Sequence, residues 1–163
     1  MIGLIFQLIG AYFVGYCCCI FLEAPANLRF RIPVIDVVGW LVYLIAVDYL
    51  QWSLPVSTYI SSLVIAIMSH VFARRYREPV TVFFLPGFFT LVPGGGMYRT
   101  ALAFIQAETT TGMRELGTTM FIALSIALAV FTVDSFVNVI YNNKRPKFVR
   151  KNRRLIFRKP SEK

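Results

Sequence analysis

The sequence predicts an all-α integral membrane protein of about five transmembrane helices, the fourth broken at a Pro/Gly element. Three observations predict it. The chain of 163 residues is 57% hydrophobic, with a mean hydropathy of +0.65 and only 15% charged residues, well below the roughly 25% of a soluble domain. Apolar blocks near residues 2–22, 34–52, 55–73, 80–106 and 118–141 match the roughly twenty residues a helix needs to cross a hydrocarbon core. The fourth block is too long for one straight span and contains Pro86-Gly87 and then Pro93-Gly94-Gly95-Gly96. Residues 1–143 read as the transmembrane domain and 144–163 as a basic tail.

The first block, "MIGLIFQLIGAYFVGY", has no basic stretch before it and no small-residue cleavage site after it, so it reads as a retained span rather than a signal peptide. Cys17, Cys18 and Cys19 close it. Consecutive helical residues point about 100° apart, so three in a row cannot share a face as metal ligands would. They read as small apolar fillers, with thiol acylation or oxidation at the cytoplasmic end as the alternative. Ala11, Gly15 and Cys19 form a stripe of small residues four apart, as do Ser62, Ala66 and His70 in the third block and Ala123 with Ala127, or Ser125 with Ala129, in the fifth. Such stripes let helices approach closely in lipid. They indicate packing and no particular partner. His70 lies near the cytoplasmic end of its span and reads as structural or interfacial, with proton handling as the alternative.

The connections are short and polar: "EAPANLRFRIP" at 23–33, Ser53-Leu54-Pro55, "RRYREP" at 74–79 and "ETTTGMRELG" at 108–117. All are expected to be loops. The tail from Lys144 carries ten basic residues against Glu162 and so holds the whole net charge of +9. Because Lys and Arg of short loops stay cytoplasmic, five crossings put the N-terminus outside and the tail inside. Arg29, Arg31, Arg74, Arg75 and Arg77 then fall inside as well. Folding 80–106 back as a re-entrant hairpin leaves four crossings and exports several positive charges. Although Phe148 and Phe157 interleave its bases, the tail reads as a surface for anionic lipid rather than for nucleic acid.

Ionisable groups inside spans are costly, so they mark function. Asp36 and Asp48 lie near the ends of the second block and are expected to be wetted by the interface. Asp134 is the deepest, about two-thirds through the fifth block. It is expected to face the bundle interior with Arg99 as its counter-ion.

The breakers in the fourth block demand a reason, because freed backbone groups have no water to bond in a bilayer core. Pro93 lacks an N–H, and the three glycines permit angles closed to other residues. The expectation is an unwound segment through Gly96, with a second half-helix starting near Met97. Its positive end and the charge of Arg99 would attract an anion. Broken helices aimed at a carboxylate recur in secondary transporters. The alternative is a tight turn between a span and an outer interfacial helix.

The run "REPVTVFFLPGFFTLVPGGGMYRTA", with a proline closing the basic loop, a Pro-initiated bend and a Pro-Gly-x-x-x-Tyr element, resembles the threonine/serine exporter family, in its short second-half type. The five-span layout and the "NNKRP" that ends the last span agree. The resemblance implies a membrane subunit of a two-part exporter of small amino acids or related small carboxylates, in a bacterial cell membrane, without a cofactor. It implies a second five-span half as partner, with a homo-oligomer as the other assembly. The family's Pro-Gly element falls on Pro93 and Gly94, its tyrosine on Tyr98 and its upstream proline on Pro86. Gly95 and Gly96 depart from the family's bulkier or hydroxyl residues, and Asp134 lies outside its pattern. Together with Gly87, Gly95, Gly96, Arg99 and Asp134, those positions make the expected substrate site.

A channel-like or structural membrane subunit with no substrate of its own is the competing reading. An intramembrane enzyme is disfavoured: there is no metal-ligand cluster, no Gly-x-Ser-x-Gly elbow, and one histidine with no obvious serine nucleophile set against it.

Overall fold

A computed structural model describes the backbone of residues 2–143 and the side chains of 3–140. The described residues form helices α1 (Ile2–Phe21), α2 (Pro33–Leu44), α3 (Leu54–Tyr76), α4 (Val80–Phe89), α5 (Gly94–Ile105) and α6 (Thr109–Asn143), with a π-helical turn, Ile45–Tyr49, continuing α2. No strand occurs among them. The basic tail from Lys144 lies outside the described residues, so its pairing with lipid does too. Contacts divide the chain into two units, Met1–Val133 and Asp134–Lys163, the boundary falling within α6.

Three helices are long and apolar enough to span a bilayer, or four if the bent pair of α4 and α5 counts as one span. The second apolar block is the one that falls short. Pro33 starts α2, and the helix loosens into the π turn after Leu44, which leaves a helical run from Pro33 to Tyr49. At about 1.5 Å per residue that run covers less than the roughly 30 Å hydrocarbon core.

Small residues set the packing of the first unit. On α3, Ser57, Ser61, Ile65, Ser69 and Ala73 recur every fourth position and are buried, with Thr58, Ser62 and Ala66 beside them. Such a face admits close neighbours where lipid gives no hydrophobic drive between helices. The Ser61 hydroxyl donates to the Gly39 carbonyl at 2.5 Å, and Gly39 itself lies against Ile65. This hydrogen bond ties α2 to α3. Ala11, Gly15 and Cys19 of α1 are likewise buried.

The basic connections meet at one end. Arg31 donates from Nη1 to the Tyr76 hydroxyl at 2.8 Å, with its guanidinium 5.3 Å from the Tyr76 ring centroid. The loop after α1 and the end of α3 therefore share one surface.

Three expectations are corrected. "RRYREP" is a loop only from Arg77, because Arg74, Arg75 and Tyr76 are the last turn of α3. "ETTTGMRELG" is not a loop: α6 begins at Thr109, because polarity marks the edge of lipid and not the end of a helix, and no proline interrupts the run. The glycines of the fourth block are not unwound either. Gly94, Gly95 and Gly96 form the first turn of α5 with Pro93 as N-cap, and none has positive φ. The break is confined to Thr90–Pro93, where the two half-helices meet at a 49° bend.

Candidate functional site

The break opens onto a cavity of about 190 Å³. That is small beside the roughly 300–1,000 Å³ of sites for drug-sized ligands, room only for a molecule of few heavy atoms. Four elements and the break supply its wall: Trp40 and Tyr43 from α2, Leu54 and Thr58 from α3, Thr90 to Pro93 from the break, Gly96 and Arg99 from α5, and Glu115, Thr118, Thr119 and Ile122 from α6.

Charge enters the cavity as a pair. Arg99 Nε donates to Glu115 Oε2 at 3.2 Å, with the arginine side chain 64% and the glutamate 26% exposed. Glu115, one helical connection away, can pair with Arg99 because α6 starts early enough to carry it alongside α5. Since the bond runs through Nε, the two terminal nitrogens of the guanidinium stay available for a planar carboxylate. An exposed pair of this kind contributes about 0–1 kcal/mol to stability, so its charges can be exchanged for those of a ligand at little cost.

Hydroxyls surround the pair with acceptors. Thr119 donates to the Glu115 carbonyl at 2.8 Å, Thr118 to the Arg114 carbonyl at 3.2 Å, and Thr58 to the Leu54 carbonyl at 2.8 Å. Their protons are committed to the helix backbone, which leaves the oxygen lone pairs to receive a ligand's N–H or O–H. Trp40 stacks on Tyr43 with ring centroids 5.1 Å apart and supplies the apolar side. At the mouth of α5, the N–H groups of Gly95 and Gly96 find no backbone acceptor among the described residues, and no side chain caps that helix end. Those donors carry the positive end of the α5 dipole.

Of the residues singled out from the sequence, Pro93, Gly96 and Arg99 come together on the cavity. Gly94 and Gly95 adjoin it in the same turn, and a side chain added at Gly95 would meet only Arg99 Nη1, at 3.9 Å. Tyr98 is 67% exposed and does not line the cavity. Pro86 and Gly87 are buried inside α4, where Gly87 packs against Ile65 and Ile35. Asp134 belongs to the second unit and is exposed there.

Glu115, Thr118, Thr119, Trp40 and Tyr43 were not foreseen. Helix-compatible residues running without a proline from Thr109 into the apolar block were the signal for the first three. Asp36 was misplaced: far from being wetted at an interface, it is fully buried.

Neither a curated protein nor a solved structure matches this chain. A family of membrane exporters does, described as "Threonine/Serine exporter, ThrE", and the match runs over residues 7–136. It covers the broken helix and every residue of the cavity, and the chain belongs to the threonine/serine exporter family.

Proposed function

We propose that this chain is one membrane subunit of a two-part secondary exporter of small amino acids, threonine and serine first, and that its share of the substrate site is the cavity at the break. The observation that carries this reading is the Arg99–Glu115 pair set among hydroxyls in a space of about 190 Å³. An α-amino acid bears a carboxylate and an ammonium on one carbon. Arg99, with the N-terminal turn of α5, suits the carboxylate. Glu115 suits the ammonium, and Thr118 and Thr119 can accept from a substrate hydroxyl. The same Glu115 opposes a second carboxylate, which favours amino acids over dicarboxylates as cargo.

In this reading five segments cross the membrane, with the run Pro33–Tyr49 as a short second span and α4–α5 as one broken fourth span. The shared end of Arg31 and Tyr76 supports both basic loops lying on one side; with that side cytoplasmic, this reading sets the tail inside and the N-terminus outside, in a bacterial cell membrane. A second half completes the transporter. Only 11% of the span window in α6 and 22% of that in α1 is buried within this chain, against 44% in α3, so the outer helices keep faces for lipid, for a partner half or for a second copy.

The test is flux. Vesicles holding this chain with its partner half should release loaded threonine faster than empty vesicles, and Glu115→Gln should slow that release without lowering protein yield. A channel-like or structural subunit with no substrate of its own gives threonine flux that does not saturate, or none.

A further inference from the structure

Asp36 is fully buried, and neither of its carboxyl oxygens has a hydrogen-bond partner among the described residues. It sits where α1, α2 and α4 converge. A Cβ on Gly15 of α1 would fall on its carboxyl group, one on Gly87 of α4 would lie 3.8 Å from Oδ1, and Pro33 closes the same wall. The usual reason for an acid in the first turn of a helix, free N–H groups at a positive dipole end, does not hold here. Ile32 already has helical angles, and the N–H groups of Ile32, Val34 and Ile35 bond to the carbonyls of Leu28, Arg31 and Ile32. The carboxyl is sealed from the surface and meets no donor among the described residues.

An isolated carboxylate in such a place is strongly disfavoured, while the neutral acid is tolerated. The groups facing it offer no cation. Cys18 and Cys19 of α1 are within its electrostatic reach, α4 bears no titratable side chain, and α3 comes in with Ile65. Arg29, close to Cys19, has its Nε held by the Ala24 carbonyl at 2.9 Å. No group of three or more His, Cys, Asp or Glu that could hold a metal ion occurs among the described residues.

We propose that Asp36 is the proton-binding carboxyl of this exporter, protonated in the sealed state seen here and ionised when α4 parts from α2 and water reaches it. The inference rests on the exporter reading. One proton is taken from water on one side of the membrane and returned to water on the other, with no other bond made or broken. The route to the substrate is short. Four residues after Asp36, α2 places Trp40 in the cavity wall, and three residues after Gly87 the chain reaches Thr90 in the same wall. Opening the contact between Asp36 and Gly87 therefore shifts two sides of the cavity, and a proton on Asp36 holds them together.

Two measurements test this. In the full-length protein in lipid, with aspartate carboxyls isotopically labelled, infrared spectra at neutral pH should show a protonated aspartate. The band should vanish in Asp36→Asn, which assigns it to Asp36; a band that persists unchanged in that variant overturns the proposal. Absence of that band in the wild type overturns the proposal, whether or not any variant folds. In vesicles with the partner half, Asp36→Asn should lose pH-gradient-driven threonine export and its pH dependence while retaining threonine-for-threonine exchange. Equal loss of both, at normal membrane yield, or an unchanged pH profile overturns it. If the wild type shows no threonine flux of any kind, it is the exporter reading that fails, and the infrared result still decides whether Asp36 carries a proton.

Discussion

Two acidic residues of the first unit lie in opposite settings. Glu115 is partly exposed, paired with Arg99 and ringed by threonine hydroxyls on a cavity. Asp36 is sealed among glycines and aliphatic side chains with nothing to bond. The first setting suits a group that keeps its charge and exchanges partners with a ligand; the second suits one that changes its charge. Proximity to the helix break does not make the difference, since both lie near it. Access of water and the presence of a counter-charge do.

The comparison breaks most visibly at Gly15. Any side chain there occupies the position of the Asp36 carboxyl, and overpacking of a tight contact costs about 1–3 kcal/mol or more. Gly15→Leu should therefore remove most of the folded, membrane-inserted protein, measured as the monodisperse fraction after detergent extraction. Normal yield would show that the seal around Asp36 is loose. At Arg99 the expected effect is on ligand and not on fold. Arg99→Ala should weaken apparent affinity for threonine roughly 10- to 100-fold, the equivalent of about 1.5–3 kcal/mol for a charged hydrogen-bonding group, with yield unchanged. Arg99→Lys should fall between, since it keeps the charge and loses the planar fork.

These effects were only partly legible in the sequence. Composition and block lengths give the helical membrane class, and "LVPGGGMYR" points to a break with a cation beside it. The position of the break did not follow, because glycine permits unusual angles without requiring them, and here three glycines begin a helix whose N-cap is Pro93. Glu115 was hidden by reading a polar run as a loop. Asp36 was hidden for a different reason: sequence position near the end of an apolar block says nothing about which helices cover it, and its cover comes from Gly15 and Gly87, twenty-one residues before and fifty-one after.

Smaller substitutions sharpen the picture of the cavity. Thr119→Val removes one acceptor from its wall, and at about 0.5–1.5 kcal/mol per neutral hydrogen bond threonine should lose roughly 2- to 10-fold in affinity in a competition assay. A larger loss for threonine than for alanine would tie that hydroxyl to the substrate side chain. Gly96→Ala should act in the same direction, because its Cβ would lie 2.5 Å from Thr119 Oγ1. The smallest effect is expected at Gly95, which is helical and nearly open. Gly95→Ala should raise stability by about 0.5–1 kcal/mol, seen as a slightly higher midpoint of thermal unfolding in detergent, and leave transport intact.

If the cavity at the break receives an amino acid by its two charges, Trp40 reports it directly. The chain has two tryptophans, of which Trp40 lines the cavity and Trp52 does not. In a Trp52→Phe protein reconstituted in lipid, Trp40 emission should change saturably with added threonine or serine and not with succinate. The change should be lost in both Arg99→Ala and Glu115→Gln and kept in Tyr98→Ala. No saturable change with threonine, or the same change in the Arg99 and Glu115 variants, would contradict the account.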